Sequence, residues 1–389
     1  MNHARSRVLQ RHDVVMSRED LAAAIGQGVL GYYLGALGVT LVLLARDFDV
    51  DVLSLGWLSN GFGVSLVVLG ALGSAVLRLG AARVLKVVVG FIGVGGVLLA
   101  LGPGLAPAQA GAIALGAGGA GVVLCTPAMV VGERMAQRLT MVSAASSVTG
   151  VVAPLLLGGA ELVTGNGRLA LLVPIPAVVA LAFMRVSAPA IGPARRFDSS
   201  RFGVVARGWG AMVLGIAAEF GFLLWGAARL ISVGLSEAQA ALGAAAFPVG
   251  MAVARLVGAR SAGHHRALGL ACAATIVGAI LIAAFSTPAM IVVGLGIGGV
   301  GAAFLYPLTL AALVGASGLA TRTVAPIATT ASGAAVLLGP ALFRLVARAG
   351  GLELGFLVLV PLAIAVMLIV PRSEMRTEDP SEHRTVISG

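Results

Sequence analysis

The sequence predicts an all-α integral membrane protein, with twelve transmembrane helices in two pseudo-symmetric six-helix bundles and both termini in the cytoplasm. Three observations predict this fold: the composition, a series of apolar runs and an internal repeat. Of the 389 residues, 59% are hydrophobic and only 11% are charged, and the mean hydropathy is +1.03. Soluble domains average about 25% charged residues, so the composition indicates a chain that lies in lipid.

Twelve apolar runs follow one another along the chain. Each has roughly the 20 residues that a helix needs to cross a 30 Å hydrocarbon layer. Backbone polar groups find no partner in lipid, and the runs are too long and continuous for barrel strands, so they are predicted as helices. The runs are 21–45, 52–76, 84–103, 108–131, 139–162, 169–184, 208–230, 238–254, 267–286, 288–314, 323–343 and 352–371.

The basic residues predict the orientation, because cytoplasmic segments collect Lys and Arg. With both termini inside, 21 of the 26 basic residues are cytoplasmic and five lie outside. The formal charge of +10 therefore reflects topology. The basic residues form no face with interleaved aromatic residues in the sequence pattern, so nucleic-acid binding is not predicted. The predicted organisation is a cytoplasmic tail over 1–20, a bundle over 21–184, a cytoplasmic linker over 185–207, a second bundle over 208–371 and a cytoplasmic tail over 372–389.

An internal repeat relates the two predicted bundles. Residues 73–83 and 250–260 agree at seven of eleven positions with an offset of 177, and the two arginines of each segment coincide. Residues 115–121 and 295–301 share the pattern Leu-Gly-x-Gly-Gly-x-Gly with an offset of 180. Similar segments at a nearly constant offset are expected of duplicated halves.

Over nearly its whole length the chain resembles the major facilitator superfamily, whose members carry a Gly-x-x-x-Asp-Arg-x-Gly-Arg loop between the second and third helices. Gly73, Arg78 and Gly80 match this loop, whereas Leu77 stands at the Asp position and Ala81 at the following Arg. The resemblance implies a secondary transporter that works by alternating access, with both copies of the repeat at the cytoplasmic gate. The implied gate residues are Gly73, Arg78, Gly80, Arg83, Gly250, Arg255 and Arg260.

One carboxylate lies in the middle of the seventh apolar run, within the stretch GIAAEFGFLLWG. Glu219 is about eleven residues into this run, which at 1.5 Å per residue places it roughly 16 Å deep. A charge there costs on the order of 3 kcal/mol and usually marks an ion or substrate pathway. Because desolvation disfavours a carboxylate anion, Glu219 is predicted to bind and release a proton as the cavity opens to either side. The alternative is a protonated packing residue.

Other polar and aromatic residues at comparable depth are candidates for the substrate cavity, although helix packing also explains each of them. Ala112 stands where many proton-coupled members of the superfamily carry Arg. Without a basic residue at the midplane, an anionic substrate is disfavoured, and a neutral or cationic amphipathic molecule is favoured. The cavity candidates are Gln27, Tyr32, Asn60, Ser147, Phe222, Trp225, Tyr306 and Thr330.

The sequence thus predicts a proton-coupled antiporter that exports a small amphipathic molecule. Its expected partners are the substrate, protons and the lipid bilayer, and it is expected to be a multi-pass monomer in the cytoplasmic (inner) membrane. Proton-coupled uptake of a small neutral nutrient is one alternative. A non-transporting membrane sensor is another, because the Asp position holds Leu77. No enzyme activity, metal or cofactor is expected, since no His or Cys pair and no paired carboxylates lie at the predicted midplane.

Overall fold

The computed structural model describes residues 17–130, 135–186, 201–258, 266–319 and 321–371. All of the regular elements in these ranges are helical, and they include two short 3-10 helices, Val52–Trp57 and Gly167–Leu172. The α-helices are α1 Arg18–Asp47, α2 Leu58–Ala71, α3 Gly73–Leu77, α4 Ala81–Leu101, α5 Leu105–Met129, α6 Met135–Thr164, α7 Ile175–Phe183, α8 Phe202–Ser232, α9 Glu237–Ala244, α10 Ala246–Gly258, α11 Ala267–Ala284, α12 Pro288–Ser317, α13 Thr321–Leu357 and α14 Leu359–Ile369.

Each predicted apolar run coincides with one to three consecutive helical segments. Ten of the described segments are long and apolar enough to cross a membrane. The sixth and twelfth runs correspond to the shorter apolar segments Gly167–Phe183 and Leu359–Ile369. The all-helical membrane fold is therefore confirmed, while the number of twelve spans stays a prediction. Of the predicted cytoplasmic segments, residues 1–16, 187–200 and 372–389 lie outside the described residues, as does Arg260.

The helix boundaries differ from the sequence pattern at two places. The eighth run consists of α9 and α10. Helix α13 continues beyond residue 343 and turns at Gly350 and Gly351, where the backbone leaves helical geometry. Gly351 has φ +85°, a region that residues with a Cβ rarely adopt. This turn separates the eleventh run from the twelfth.

Glycines allow close helix packing within each half. Gly31 and Gly35 of α1 lie against the backbone of Ser146 and Gly150 on α6, and a Cβ at Gly35 would come within 2.7 Å of the Gly150 Cα atom. Helices in lipid associate through such van der Waals contact, because lipid tails are as apolar as the side chains. Helices α1 and α6 therefore form a tightly packed pair.

Ion pairs join helix ends within the same half. At one end of the α1–α6 pair, Arg138 binds the buried Asp20 with a 2.7 Å contact. At the other end, Arg46 binds Glu161. In the second half, the arginines at the start of α8 bind exposed helix carbonyls instead, as cations near a helix C-terminus do. The guanidinium of Arg201 donates to the Ser317 carbonyl, and that of Arg207 donates to the Ile369 carbonyl at 3.2 Å.

Two buried arginines bind equivalent helix ends in the two halves. Arg168 binds carbonyls at the end of α4, and Arg229 binds carbonyls at the end of α11, with N···O distances of 2.9 to 3.3 Å. The corresponding carbonyls are 183 residues apart, which supports the internal repeat. The accepting residues are Leu99 and Gly102 for Arg168, and Ile282 and Phe285 for Arg229.

We expect Arg229→Met to destabilise the second half. The Arg229 side chain is 2% exposed and pairs with Glu353 at 2.6 Å, so its loss removes donors from two carbonyls as well as an ion pair. Each unsatisfied buried group costs about 1–3 kcal/mol, and the melting temperature in detergent should fall clearly. Glu353→Gln is the matched control. The Glu353 side chain is 45% exposed, and such a pair contributes about 1 kcal/mol or less. Equal losses in both variants would contradict this assignment.

Candidate functional site

Glu219 lies in the middle of α8 and is partly exposed, whereas its immediate neighbours along the helix are buried. Its side of α8 packs on α12. A Cβ at Gly215 would meet the Leu305 Cβ at 3.3 Å, and one at Gly226 would meet the Leu295 side chain. Helix packing thus places the carboxyl beside α12, about halfway along both helices.

Polar side chains lie on the helices packed around this part of α8. Tyr306 follows Leu305 on α12, and α10, whose last turn carries the exposed Arg255, also packs on α12. Nη1 of Arg255 donates a hydrogen bond to the Ser147 Oγ of α6 at 2.7 Å. Among the ion pairs of the described residues, none joins Glu219 directly to Arg255. We refer to Glu219, Arg255, Tyr306 and Ser147 as the polar cluster, in which the bond between Arg255 and Ser147 crosses the interface between the halves.

The place of Arg255 corrects one sequence-based expectation. It does not lie in a loop, because α10 continues to Gly258 and carries Arg255 in its last turn. In the first half, α3 ends at Leu77, and the chain turns at Gly80, which has φ +93°. The residue equivalent to Gly80 is Val257, and a β-branched residue strongly disfavours positive φ, so the second helix runs on. The long Arg255 side chain then extends towards α6.

The last turn of α10 thus carries an exposed basic residue. The expectation that an anionic substrate is disfavoured stays a prediction. The signal that identifies Arg255 in the sequence is the replacement of the turn glycine by Val257. That signal becomes informative only when the two repeats are compared position by position.

Two candidates of the first bundle have hydrogen-bond partners within that bundle. The Tyr32 hydroxyl donates to the Ala170 carbonyl at 2.7 Å, and the side chain is 3% exposed. The Gln27 amide donates to the Thr126 hydroxyl at 2.9 Å. The structure does not bring either side chain into the polar cluster, and both stabilise packing between helices.

Two further candidates lie along α2 and α13. Asn60 of α2 is partly exposed. The Thr330 hydroxyl of α13 donates to the Ile327 carbonyl at 2.8 Å and accepts a hydrogen bond from Nε1 of Trp209 at 3.3 Å. Thr330 thus links α13 to α8, and its contacts are those of a packing residue.

Phe222 and Trp225 belong to an aromatic cluster in the second half. Phe222 stacks on Phe247 with ring centroids 5.5 Å apart, and Trp225 stacks on Phe343 at 5.3 Å. Phe356 completes the cluster. All five side chains are at most 1% exposed. In this conformation they form part of the apolar core rather than the surface of a cavity.

The predicted gate residues occupy different environments in the two repeats. In the first, Gly73 is buried against Leu124, Gly80 forms the turn before α4, and Arg78 and Arg83 are exposed.

In the second repeat, Gly250 lies inside α10, where a Cβ would come within 3.0 Å of the Gly296 backbone. Gly250 therefore contributes close helix packing. Arg255 contributes to the polar cluster, and Arg260 lies outside the described part of the chain.

The two halves meet closely on the side of Glu219 that the arginine distribution predicts to be outer. Gly38 of α1 lies against the Leu223 carbonyl of α8. The rings of Phe62 and Phe220 have centroids 6.5 Å apart, and a Cβ at Gly158 would meet the Ala241 Cβ at 3.1 Å. These contacts close the interface at this end without charged groups.

A small apolar cavity lies within this closed region. Its volume is about 40 Å³, comparable with the volume of one water molecule in the liquid. Thr40, Phe62, Ala112, Phe220 and Val336 are among its lining residues. Ala112 thus lies in an apolar part of the contact between the halves.

The described helices have the fold of the major facilitator superfamily transporters. The structure is similar to the crystal structure of the nucleoside transporter NupG, with a TM-score of 0.69, 14% sequence identity and coverage of 90% of this chain and 99% of that one. It is also similar to the human organic anion transporter MFSD10 (TETRAN), with a TM-score of 0.68, 16% identity and coverage of 91% and 99%. No protein-family model and no curated protein matches the sequence.

Proposed function

We propose that this protein is a proton-coupled secondary transporter that exports a small molecule by alternating access. The observation that carries the proposal is the partly exposed carboxyl of Glu219, which lies halfway along α8 on the side that packs on α12. Ionisable residues at such depth are costly and are typical of ion and substrate pathways. The shared fold with known transporters supports the same function.

Exchange of protons for substrate follows from the chemistry of a single carboxyl group. Glu219 can carry a proton or balance the positive charge of a substrate, and each occupant excludes the other. If the site opens alternately to the two sides, protons that enter replace substrate that leaves. We therefore propose an antiporter for a net-neutral or cationic amphipathic molecule.

The topology belongs to the same proposal. Twelve spans, with the two shorter apolar segments completing the halves, put both termini and the central linker in the cytoplasm. We further propose that the transporter works as a monomer in the cytoplasmic membrane, with bundles over 21–184 and 208–371. The residues proposed to contact substrate are Glu219, Arg255, Tyr306 and Ser147.

A second candidate function is uptake of a small neutral nutrient. The likeness to a nucleoside transporter favours it, because a nucleoside is a neutral molecule with several hydrogen-bonding groups. The direction of transport distinguishes the two candidate functions, since an exporter loads its substrate from the cytoplasmic side.

We expect purified protein in liposomes to move at least one amphipathic compound against its gradient when a pH gradient is imposed. Flux of neutral and amine-containing compounds is measured with and without the gradient, and again after a protonophore has collapsed it. Protein-free liposomes are the control. Flux of no compound under any gradient would overturn the proposed function and favour the membrane sensor.

A further inference from the structure

A tryptophan in the predicted outer half of α8 has a buried hydrogen-bond donor without an acceptor. The Trp225 side chain is 0% exposed, and its Nε1 atom has no hydrogen-bond partner among the described residues. One face of the indole stacks on the ring of Phe343, with centroids 5.3 Å apart. Buried polar groups in proteins are nearly always paired, so an unpaired donor requires an explanation.

The first half covers the edge of the ring that carries this donor. Gly56 lies in the 3-10 helix Val52–Trp57, and a Cβ at Gly56 would be 3.3 Å from Cη2 and 3.4 Å from Cζ2 of Trp225. Cζ2 is bonded to the ring carbon that also bonds Nε1, so the N–H group belongs to the covered edge. The same Cβ would be 3.4 Å from Cδ of Arg344 on α13. Gly56 therefore contacts two helices of the second half.

This contact belongs to the interface that closes the predicted outer end. In that interface Gly38 of the first half also lies against Leu223, two residues before Trp225. The stacking partner Phe343 belongs to the second half, so it stays with Trp225 when the halves separate. Separation at the outer end thus uncovers the edge with the N–H group, and water can then accept its hydrogen bond.

We propose that Trp225 is a hydrogen-bond donor of the outer cavity, which binds water while the outer end is open and loses this acceptor when it closes. The inference rests on the proposed function only through alternating access. A buried donor without an acceptor is unfavourable, so the N–H group opposes closure of the outer end. Under this proposal Trp225 lines the substrate cavity in the open conformation only.

The position of the donor decides which step of the cycle it affects. Closing the outer end removes the acceptor, and opening restores it, so the N–H group increases the population of the outward-open conformation. This effect does not depend on proton binding, because the indole does not titrate. In a proton-coupled exporter, substrate leaves and the proton enters while the outer end is open, and a larger open population favours both events.

An isosteric replacement of the indole tests the inference. β-(3-Benzothienyl)alanine at position 225 keeps the shape of tryptophan but has sulfur in place of the N–H group. The Thr40→Cys variant reports opening, because Thr40 is 4% exposed and lines the apolar cavity between the halves. Its labelling is measured in detergent at maleimide concentrations to which the rate is proportional, so that the rate reports the open population. The replacement at position 225 is expected to slow labelling about fivefold or more.

Trp209 provides the matched control. It lies on the same helix, and its Nε1 atom donates to the Thr330 hydroxyl at 3.3 Å within the second half. The same replacement at position 209 removes a hydrogen bond that does not join the two halves. Labelling of Thr40→Cys should therefore stay unchanged.

Acrylamide quenching of tryptophan fluorescence tests separately whether outer opening uncovers the ring. Trp57→Phe and Trp209→Phe leave Trp225 as the sole tryptophan, and its quenching should be weak because the side chain is buried. Gly38→Val places a side chain against the Leu223 carbonyl and opposes outer closure. Quenching of Trp225 should increase in this variant.

Four results would overturn the inference. They are unchanged labelling with the replacement at position 225, equal slowing by the replacements at 209 and 225, unchanged quenching in Gly38→Val although Thr40→Cys reacts faster, and no labelling of Thr40→Cys in any background. None of these measurements uses a substrate or a pH gradient. Slower labelling with the replacement at 225, together with no gradient-driven flux of any compound, would reject the proposed function and leave the role of Trp225 standing.

Discussion

Glu219→Gln is expected to abolish substrate flux driven by a pH gradient while the protein stays folded. Glutamine has nearly the same shape as glutamate, but its amide neither takes up a proton at the pH of the transport assay nor balances a positive charge. Losing a charge partner worth about 3 kcal/mol lowers binding by about a hundredfold, and losing the titrating group removes the coupling to protons. The measurement is substrate flux in proteoliposomes, with and without an imposed pH gradient.

Glu237→Gln is the matched control for this prediction. Glu237 lies in the first turn of α9, away from the polar cluster, and its replacement should leave flux unchanged. A Glu219→Gln protein that transports as fast as wild type under the same gradient would make Glu219 a packing residue. Coupling would then have to reside elsewhere.

Gly38→Val is expected to stop transport by preventing the halves from closing at the proposed outer end. A Cβ at Gly38 would collide with the Leu223 carbonyl and come within 3.1 Å of the Leu224 carbonyl. Backbone atoms of a helix cannot move aside as a flexible side chain can. Overpacking costs about 1–3 kcal/mol, and because this contact joins the two halves, the cost falls on the closed conformation. Its population should fall about tenfold or more.

Labelling of a cysteine placed at Thr40 measures this shift. Thr40 lines the small cavity and is 4% exposed in the present conformation, so a membrane-impermeant maleimide should react faster in the Gly38→Val background. The native Cys125 and Cys272 are buried. Gly35→Val provides the contrast, because Gly35 packs on Gly150 within one half and its loss should reduce stability instead. Unchanged labelling and unchanged flux in Gly38→Val would refute the assigned role of this contact.

The sequence located the helices because span length and hydropathy are local properties. Each apolar run coincides with helical segments, and the backbone geometry shows that a turn at Gly350 and Gly351 separates the last two runs. Local patterns cannot show which short segments suffice to cross the membrane, and the sixth and twelfth spans therefore stay proposals. Orientation and the positions of the termini depend on lipid and stay proposals as well.

The site was predictable only in part. The depth of Glu219 along one helix is predictable from the sequence, but the packing of this side of α8 on α12 depends on tertiary contacts. The sequence predicts Arg255 in a loop because it follows the eighth apolar run and repeats Arg78 of the first gate loop. The effect of Val257 on helix length is clear only from the backbone. The partners of Tyr32 and the stacking of Trp225 likewise depend on contacts between distant segments.

The ion pairs of the described residues all join groups that belong to the same half. Pairs at both ends of α1 join it to α6, whereas the surface between α1 and α8 is formed by Gly38 and apolar side chains. Dissolved salt screens exposed ion pairs but has little effect on dispersion contacts. Ionic strength should consequently act on the more exposed pairs within each half, such as Arg46 with Asp47, and little on the buried pairs. The balance between the two orientations of the transporter should be nearly independent of it.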